Sequence, residues 1–195
     1  MQRFRPDLFN LKMHFYSNYY NNIVKYDLIN KFWYNKLKKV PKFYKIILNF
    51  GLKKSSIKQL SSNLLALELI GLKKGQFLIS KKSNIFLKIK KGHPIGCKLV
   101  LQKKLLYHFL AKLIFEIFPQ FKTLLRINKK KRKYDHSISY KFKNSLLFVE
   151  LEQNYSLLNT VLADLNLTFI TNKITQEEFY YLIYSFKQPL KFLLE

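Results

Sequence analysis

The chain has 195 residues, 48% of them apolar, with 36 Lys and Arg against 11 Asp and Glu and a formal net charge of +25. That length can bury roughly two-thirds of the unfolded surface in one core, and the apolar content excludes a globally disordered chain. The charge excludes an existence apart from polyanions, because such a protein would repel itself and bind them indiscriminately, so a permanent nucleic-acid partner is favoured.

From about Lys12 to Lys39 the sequence is rich in aromatics and Asn, and its three- and four-residue spacings predict a helix or two in an N-terminal extension over 1–39. Val40-Pro41 ends it. Lys42 to Phe50 reads as a strand closed by Gly51, with Tyr44, Ile46, Leu48 and Phe50 on one face and Phe43, Lys45, Ile47 and Asn49 on the other. The second face mixes aromatic, basic and amide groups, as an RNA-facing sheet surface would. A helix is expected from Ile57 to Ile70, with Ser55 or Ser56 as N-cap and Gly71 at the C-cap. A short strand over Gln76 to Ser80, a loop over Lys81 to Asn84 and a strand over Ile85 to Lys91, with Lys88 and Lys90 on one face, form a hairpin with a basic tip.

Gly92, Pro94 and Gly96 fall within five positions and specify a tight turn. The following strand turns Ile95, Cys97, Leu99 and Leu101 one way and Lys98 and Gln102 the other. A helix to Phe118 should show one narrow wet stripe, Lys104, His108, Lys112 and Glu116. Lys129, Lys130, Lys131, Arg132 and Lys133 form the densest charge block, a loop expected to be mobile when free and to neutralise phosphates when bound. Strands near Ile138 to Phe142, Ser145 to Leu151 and Asp164 to Ile170 lead to a last helix, from Thr175 and Glu178 at capping-box spacing to about Lys187. The sum is an α+β fold: one domain over 40–187, an antiparallel sheet with helices packed on one face, a basic mobile loop, and a tail over 188–195.

Little in the sequence supports an enzyme. His14, His93, His108 and His136 have no Cys, Asp or Glu nearby at metal-ligand spacing, and no Gly-rich phosphate loop exists. Neither a metal nor a cofactor is expected. The lone Cys97 excludes an internal disulfide and reads as a buried strand residue. No run of 18 apolar residues predicts a membrane span, and Met1 to Leu11 lacks the apolar segment of a secretory signal. Phe, Tyr, Asn, Lys and Ile, all with AT-rich codons, fill 95 positions, which fits an organellar gene, mitochondrial or alternatively plastid.

Gly92-His93-Pro94-Ile95-Gly96-Cys97-Lys98, with a strand behind it and a helix closing in Phe118-Pro119-Gln120, resembles a segment of the ribosomal large-subunit protein five family. Val40 to Gly51, Leu67 to Ile70, Leu78 to Ser83, and Asp164 to Asn172 with Gln176-Glu177-Glu178 are similar to further family segments in the same order. The resemblance implies a structural RNA-binding protein of the central protuberance, docked on 5S rRNA and adjacent large-subunit rRNA. It further implies a loop at Ser80 to Ile85 near the peptidyl-site tRNA and a surface facing a small-subunit head protein. On matching positions it carries over Asn49, Ser80, Lys81, Lys82, Ser83 and Lys98 as RNA contacts. The residues themselves add Lys45, Lys88, Lys90 and the lysine block. Two segments depart from the family: Leu78 to Gly96 is slightly shorter, and Lys122 to His136 has the lysine block in place of Arg-Gly and Gly-rich elements. A free RNA-binding or chaperone protein of the organelle is the alternative function.

Overall fold

The computed structural model describes residues 15–51, 56–86, 89–120, 125–126, 137–143, 145–158, 164–172, 175–186 and 190–191. Seven strands are found among them: β1 (Phe43–Gly51), β2 (Gln76–Ile79), β3 (Pro94–Leu101), β4 (Leu125–Arg126), β5 (Ser137–Phe142), β6 (Leu165–Thr171) and β7 (Leu190–Lys191). Five form an antiparallel sheet in the order β2-β3-β1-β6-β5, while β4 and β7 pair in parallel. The architecture is α+β, as the strand alternation and helix periodicity predict. The chain divides into two compact units: Met1–Lys45 with Gln102–Ile138 and Phe169–Glu195, and Ile46–Leu101 with Ser139–Thr168.

In the second unit β1 and β3 set Ile46 opposite Leu101, Leu48 opposite Leu99 and Phe50 opposite Cys97, all buried. Each such Leu or Phe contributes about 1.5–3 kcal/mol by leaving water. The helix α1 (Ile57–Gly71) covers this face, with the Cys97 thiol donating to the Leu60 carbonyl at 3.5 Å. Ser56 is the N-cap, accepting from the Gln59 N–H at 3.2 Å. The left-handed C-cap residue is Leu72 (φ 51°), not Gly71 as the sequence suggested. Gly71 instead lies against β3: a Cβ there would stand 2.8 Å from a Leu99 methyl, which would have to shift.

The strand expected over Ser145 to Leu151 is instead a 3₁₀ turn (Ser145–Leu147) and two short helices, α2 (Val149–Gln153) and α3 (Tyr155–Leu158). A short apolar run does not declare its period. Phe148 and Leu151 are buried three residues apart, and Phe148 meets Phe142 of β5 edge-on with ring centroids 6.5 Å apart. Glu150 and Glu152 lie on α2.

In the first unit a helical run covers residues 15–19, a π-helical turn at Tyr20–Val24 and α4 (Lys25–Lys31). Tyr16, Tyr20, Val24 and Leu28 are buried at four-residue steps. The Tyr20 hydroxyl donates to the Pro41 carbonyl at 2.7 Å, tying the run to the start of β1. There the expected facing is reversed: Phe43 is buried and Tyr44 exposed, because Phe43 packs at 5.6 Å on Phe169 and 5.2 Å on Phe186.

The helix α5 (Lys103–Lys112) also departs from expectation. Lys104 is exposed, but His108 and Glu116 are half-buried, Lys112 is buried and Phe115 is 51% exposed. A π-helical turn at Leu113–Ile117 follows α5 and widens the spiral, so the four-residue register does not continue through it. The last helix, α6 (Gln176–Ser185), has the anticipated capping box: Thr175 N–H donates to Glu178 Oε2 at 2.7 Å, and Glu178 N–H to Thr175 Oγ1 at 3.4 Å.

Candidate nucleic-acid interface

Alternation that buries Ile46, Leu48, Phe50, Cys97 and Leu99 necessarily turns their neighbours to the other face of the sheet. Across three strands the register aligns Gln76 with Lys98 and Lys98 with Asn49, a polar row of two amides around one ammonium. Lys98 and Asn49 are half-buried and Gln76 is exposed. The Asn49 side-chain oxygen has no hydrogen-bond partner among the described residues. Farther along the same unit, β6 and β5 turn Thr168 and Ser139 outward, with their hydroxyls 3.0 Å apart. Exposed Lys141 pairs with Asp164 at 2.8 Å, a solvent-screened contact worth at most about 1 kcal/mol. Amides, hydroxyls and a lysine on an open sheet face can bind phosphate and ribose oxygens without reading base sequence.

Gly96 lets this face form. A Cβ on it would stand 2.5 Å from the Phe50 carbonyl oxygen, so only glycine allows β3 to close on β1 two residues from Lys98. Of the three residues expected in a turn, Gly92 is the turn residue (φ 86°), whereas Pro94 and Gly96 lie in β3. Pro94 takes the first strand position, where a missing N–H is tolerated.

The expected strand over Ile85 to Lys91 is absent among the described residues. β2 pairs with β3 instead, with Leu78 opposite Gly96 and Ile79 opposite Pro94. Beyond it the Ser80 N–H donates to the His93 carbonyl at 2.9 Å and the Gly92 N–H to the Ser80 carbonyl at 3.0 Å. An isolated bridge then joins Asn84 to Ile89. This places Ile85 and Phe86 at a tip, 90% and 98% exposed. Lys81, Lys82, Ser83, Lys90 and Lys91 are exposed around it. Ser80 is occupied within the loop, its hydroxyl donating to the Lys82 carbonyl.

The structure thus brings Asn49 and Lys98 together in one row and gathers Ser80, Lys81, Lys82, Ser83 and Lys90 in one loop. Lys45 is half-buried on β1, its ammonium 5.8 Å from the centre of the Tyr44 ring. Lys88 and the block Lys129 to Lys133 lie outside the described residues. Sequence reasoning missed Gln76, Ser139, Thr168 and Lys141. The alternation of Ser137, Ser139 and Lys141 with Ile138, Tyr140 and Phe142 was the available signal. Behind the face, burial pushes the Cys97 thiol to about 11, which keeps it protonated and unreactive at neutral pH.

No model of a known protein family matches the chain. Individual relatives do. The chain is 36% identical over 177 residues to the large ribosomal subunit protein uL5m of Reclinomonas americana, covering 89% of this chain and 96% of that protein. The chain belongs to the uL5 family. The uL5 proteins of Blochmanniella floridana and Wigglesworthia glossinidia brevipalpis are 31% and 33% identical to it, over 89% and 92% of this chain and 91% and 99% of theirs. Membership covers both compact units and makes the chain a large-subunit ribosomal protein by family. Among the described residues no helix is long and apolar enough to cross a membrane.

Proposed function

We propose that this uL5-family chain is a structural component of the large subunit of a mitochondrial ribosome. Its open sheet face holds 5S rRNA or adjacent large-subunit rRNA in the central protuberance. The loop Ser80 to Ile85 reaches toward the peptidyl-site tRNA, and neighbouring ribosomal proteins, including one of the small-subunit head, complete its surroundings. The observation that carries this reading is the Gln76, Lys98 and Asn49 row on the wet face of a protein with net charge +25. The AT-rich composition and the likeness to a uL5m protein support the mitochondrial setting. In this reading Lys129 to Lys133 neutralise further phosphates.

The test is crosslinking in intact mitochondria, followed by gradient sedimentation and sequencing of the crosslinked RNA. Recovery with large subunits, on 5S rRNA or its neighbours, is expected. Recovery in light fractions on mixed transcripts would instead identify a free RNA-binding protein.

A further inference from the structure

The first unit carries a surface that the sheet face does not account for. Phe32 leaves α4 in extended conformation (φ −122°, ψ 126°), its N–H still donating to the Leu28 carbonyl at 2.9 Å. Extended backbone sends alternate side chains to opposite sides. Phe32 turns inward and meets the Tyr181 ring edge-on at 5.9 Å. Tyr34 also turns inward, its phenol pushed up by burial and then by the Glu178 carboxylate. Trp33, between them, turns outward and is 98% exposed.

The chain on either side of Trp33 is basic. Lys36, Lys38 and Lys39 follow within six positions, all exposed, on a 3₁₀ turn (Leu37–Lys39) in which the Lys39 N–H donates to the Lys36 carbonyl at 3.0 Å. Lys31 precedes it, its ammonium 4.2 Å from the centre of the Tyr181 ring. From Leu28 to Leu67 the sequence contains no Asp or Glu. An indole leaves roughly 150–250 Å² of surface in water when it is not packed. Here both of its neighbours turn inward, which fixes the backbone that presents the indole to water. A partner must be flat and apolar at the ring and anionic beside it. Bases flanked by phosphates satisfy both demands, and an indole reaches only bases not already stacked in a duplex.

We propose that Trp33 is a stacking platform for an unpaired base of single-stranded RNA, with Lys36, Lys38 and Lys39 binding the adjoining phosphates. The inference rests on the RNA-binding reading for its class of partner and on no residue of the sheet face.

Trp33 is the sole tryptophan, so the emission of the full chain reports this site alone. Titration with a labelled oligouridylate, its binding followed independently by anisotropy, should quench the emission strongly; a blunt RNA duplex of equal length should not. Trp33→Ala should weaken oligouridylate binding at least about fivefold while leaving duplex binding unchanged, and Trp33→Phe should restore most of it. Saturating oligouridylate that leaves the emission unmoved would overturn the proposal. So would a blue shift produced by phosphatidylserine vesicles without any RNA response, which would make the site a membrane contact. Quenching that persists in a chain found only in light fractions would sink the ribosomal reading alone. A chain that sediments with large subunits while Trp33 stays silent would sink this one alone.

Discussion

Gly51 and Gly96 face each other across β1 and β3, yet substitution should affect them in opposite ways. An alanine Cβ at position 96 would lie 2.5 Å from the Phe50 carbonyl oxygen, whereas ordinary contact begins near 3.4 Å. The obstacle is backbone and cannot rotate away, so β3 would have to move outward by about 0.9 Å. That stretches neighbouring ladder bonds from roughly 2.9 Å beyond hydrogen-bonding range. Losing two of them and leaving their groups buried costs about 2–4 kcal/mol. At position 51 nothing lies within 4 Å, and replacing a strand glycine by alanine should be neutral or stabilise by up to about 1 kcal/mol. Urea unfolding followed by far-ultraviolet circular dichroism separates the two cases; emission would not serve, because Trp33 is already in water. Gly96→Ala should lower the midpoint by about 1 M and Gly51→Ala should not. Because the distortion lies two residues from Lys98, rRNA affinity should fall with Gly96→Ala as well. Equal midpoints for the two variants would refute the steric reasoning.

Lys98→Ala should flatten the dependence of log affinity on log salt by about 0.7–0.9, the signature of one lost phosphate contact; replacing Lys129 to Lys133 by Ser should flatten it by a comparable amount for each contact made. Filter binding across a KCl series measures both, and unchanged slopes would remove these residues from the interface. Burial raises the Cys97 thiol from 9.0 to about 11 and the Tyr107 phenol from 10.0 to about 12, so the folded chain holds these protons more tightly than the unfolded one. Their contribution is complete below about pH 9 and declines as pH rises toward 12; thermal melts at pH 8, 10 and 11 should show falling midpoints. Thr175→Ala removes half of the α6 capping box and should cost about 1 kcal/mol, or 2–4 °C in Tm, a loss that Thr175→Ser should largely avoid.

Much of this was legible before the fold was known because the signals are local. Ser56, Thr175 and Glu178 mark helix starts, since an unpaired N–H must find an acceptor within three residues. The alternation of Cys97, Lys98, Leu99 and Leu101 marks a two-sided strand. Other readings failed where periodicity was too short or was overridden. The run from Leu146 to Leu151 is helical because Phe148 and Leu151 reach the core at helical spacing. The stripe from Lys104 to Glu116 already fails inside α5, where His108 is half-buried and Lys112 buried, and the π-helical turn then shifts the register of Glu116. Among the described residues β3, not the segment Ile85 to Lys91, pairs with β2.

The sequence by itself determined the charge and the α+β class, because composition and spacing act over a few residues and survive without coordinates, and its ordered motifs carried the resemblance to the family. Only the tertiary structure decided which polar residues share a surface. Gln76, Lys98 and Asn49 are distant in sequence and become one row through strand register. It also decided that Phe43 turns in and Tyr44 out, and that Trp33 alone of three consecutive aromatics faces water. Exposure depends on what lies opposite a side chain. In Phe32-Trp33-Tyr34 that was settled by Tyr181 and Glu178, nearly 150 positions farther along the chain.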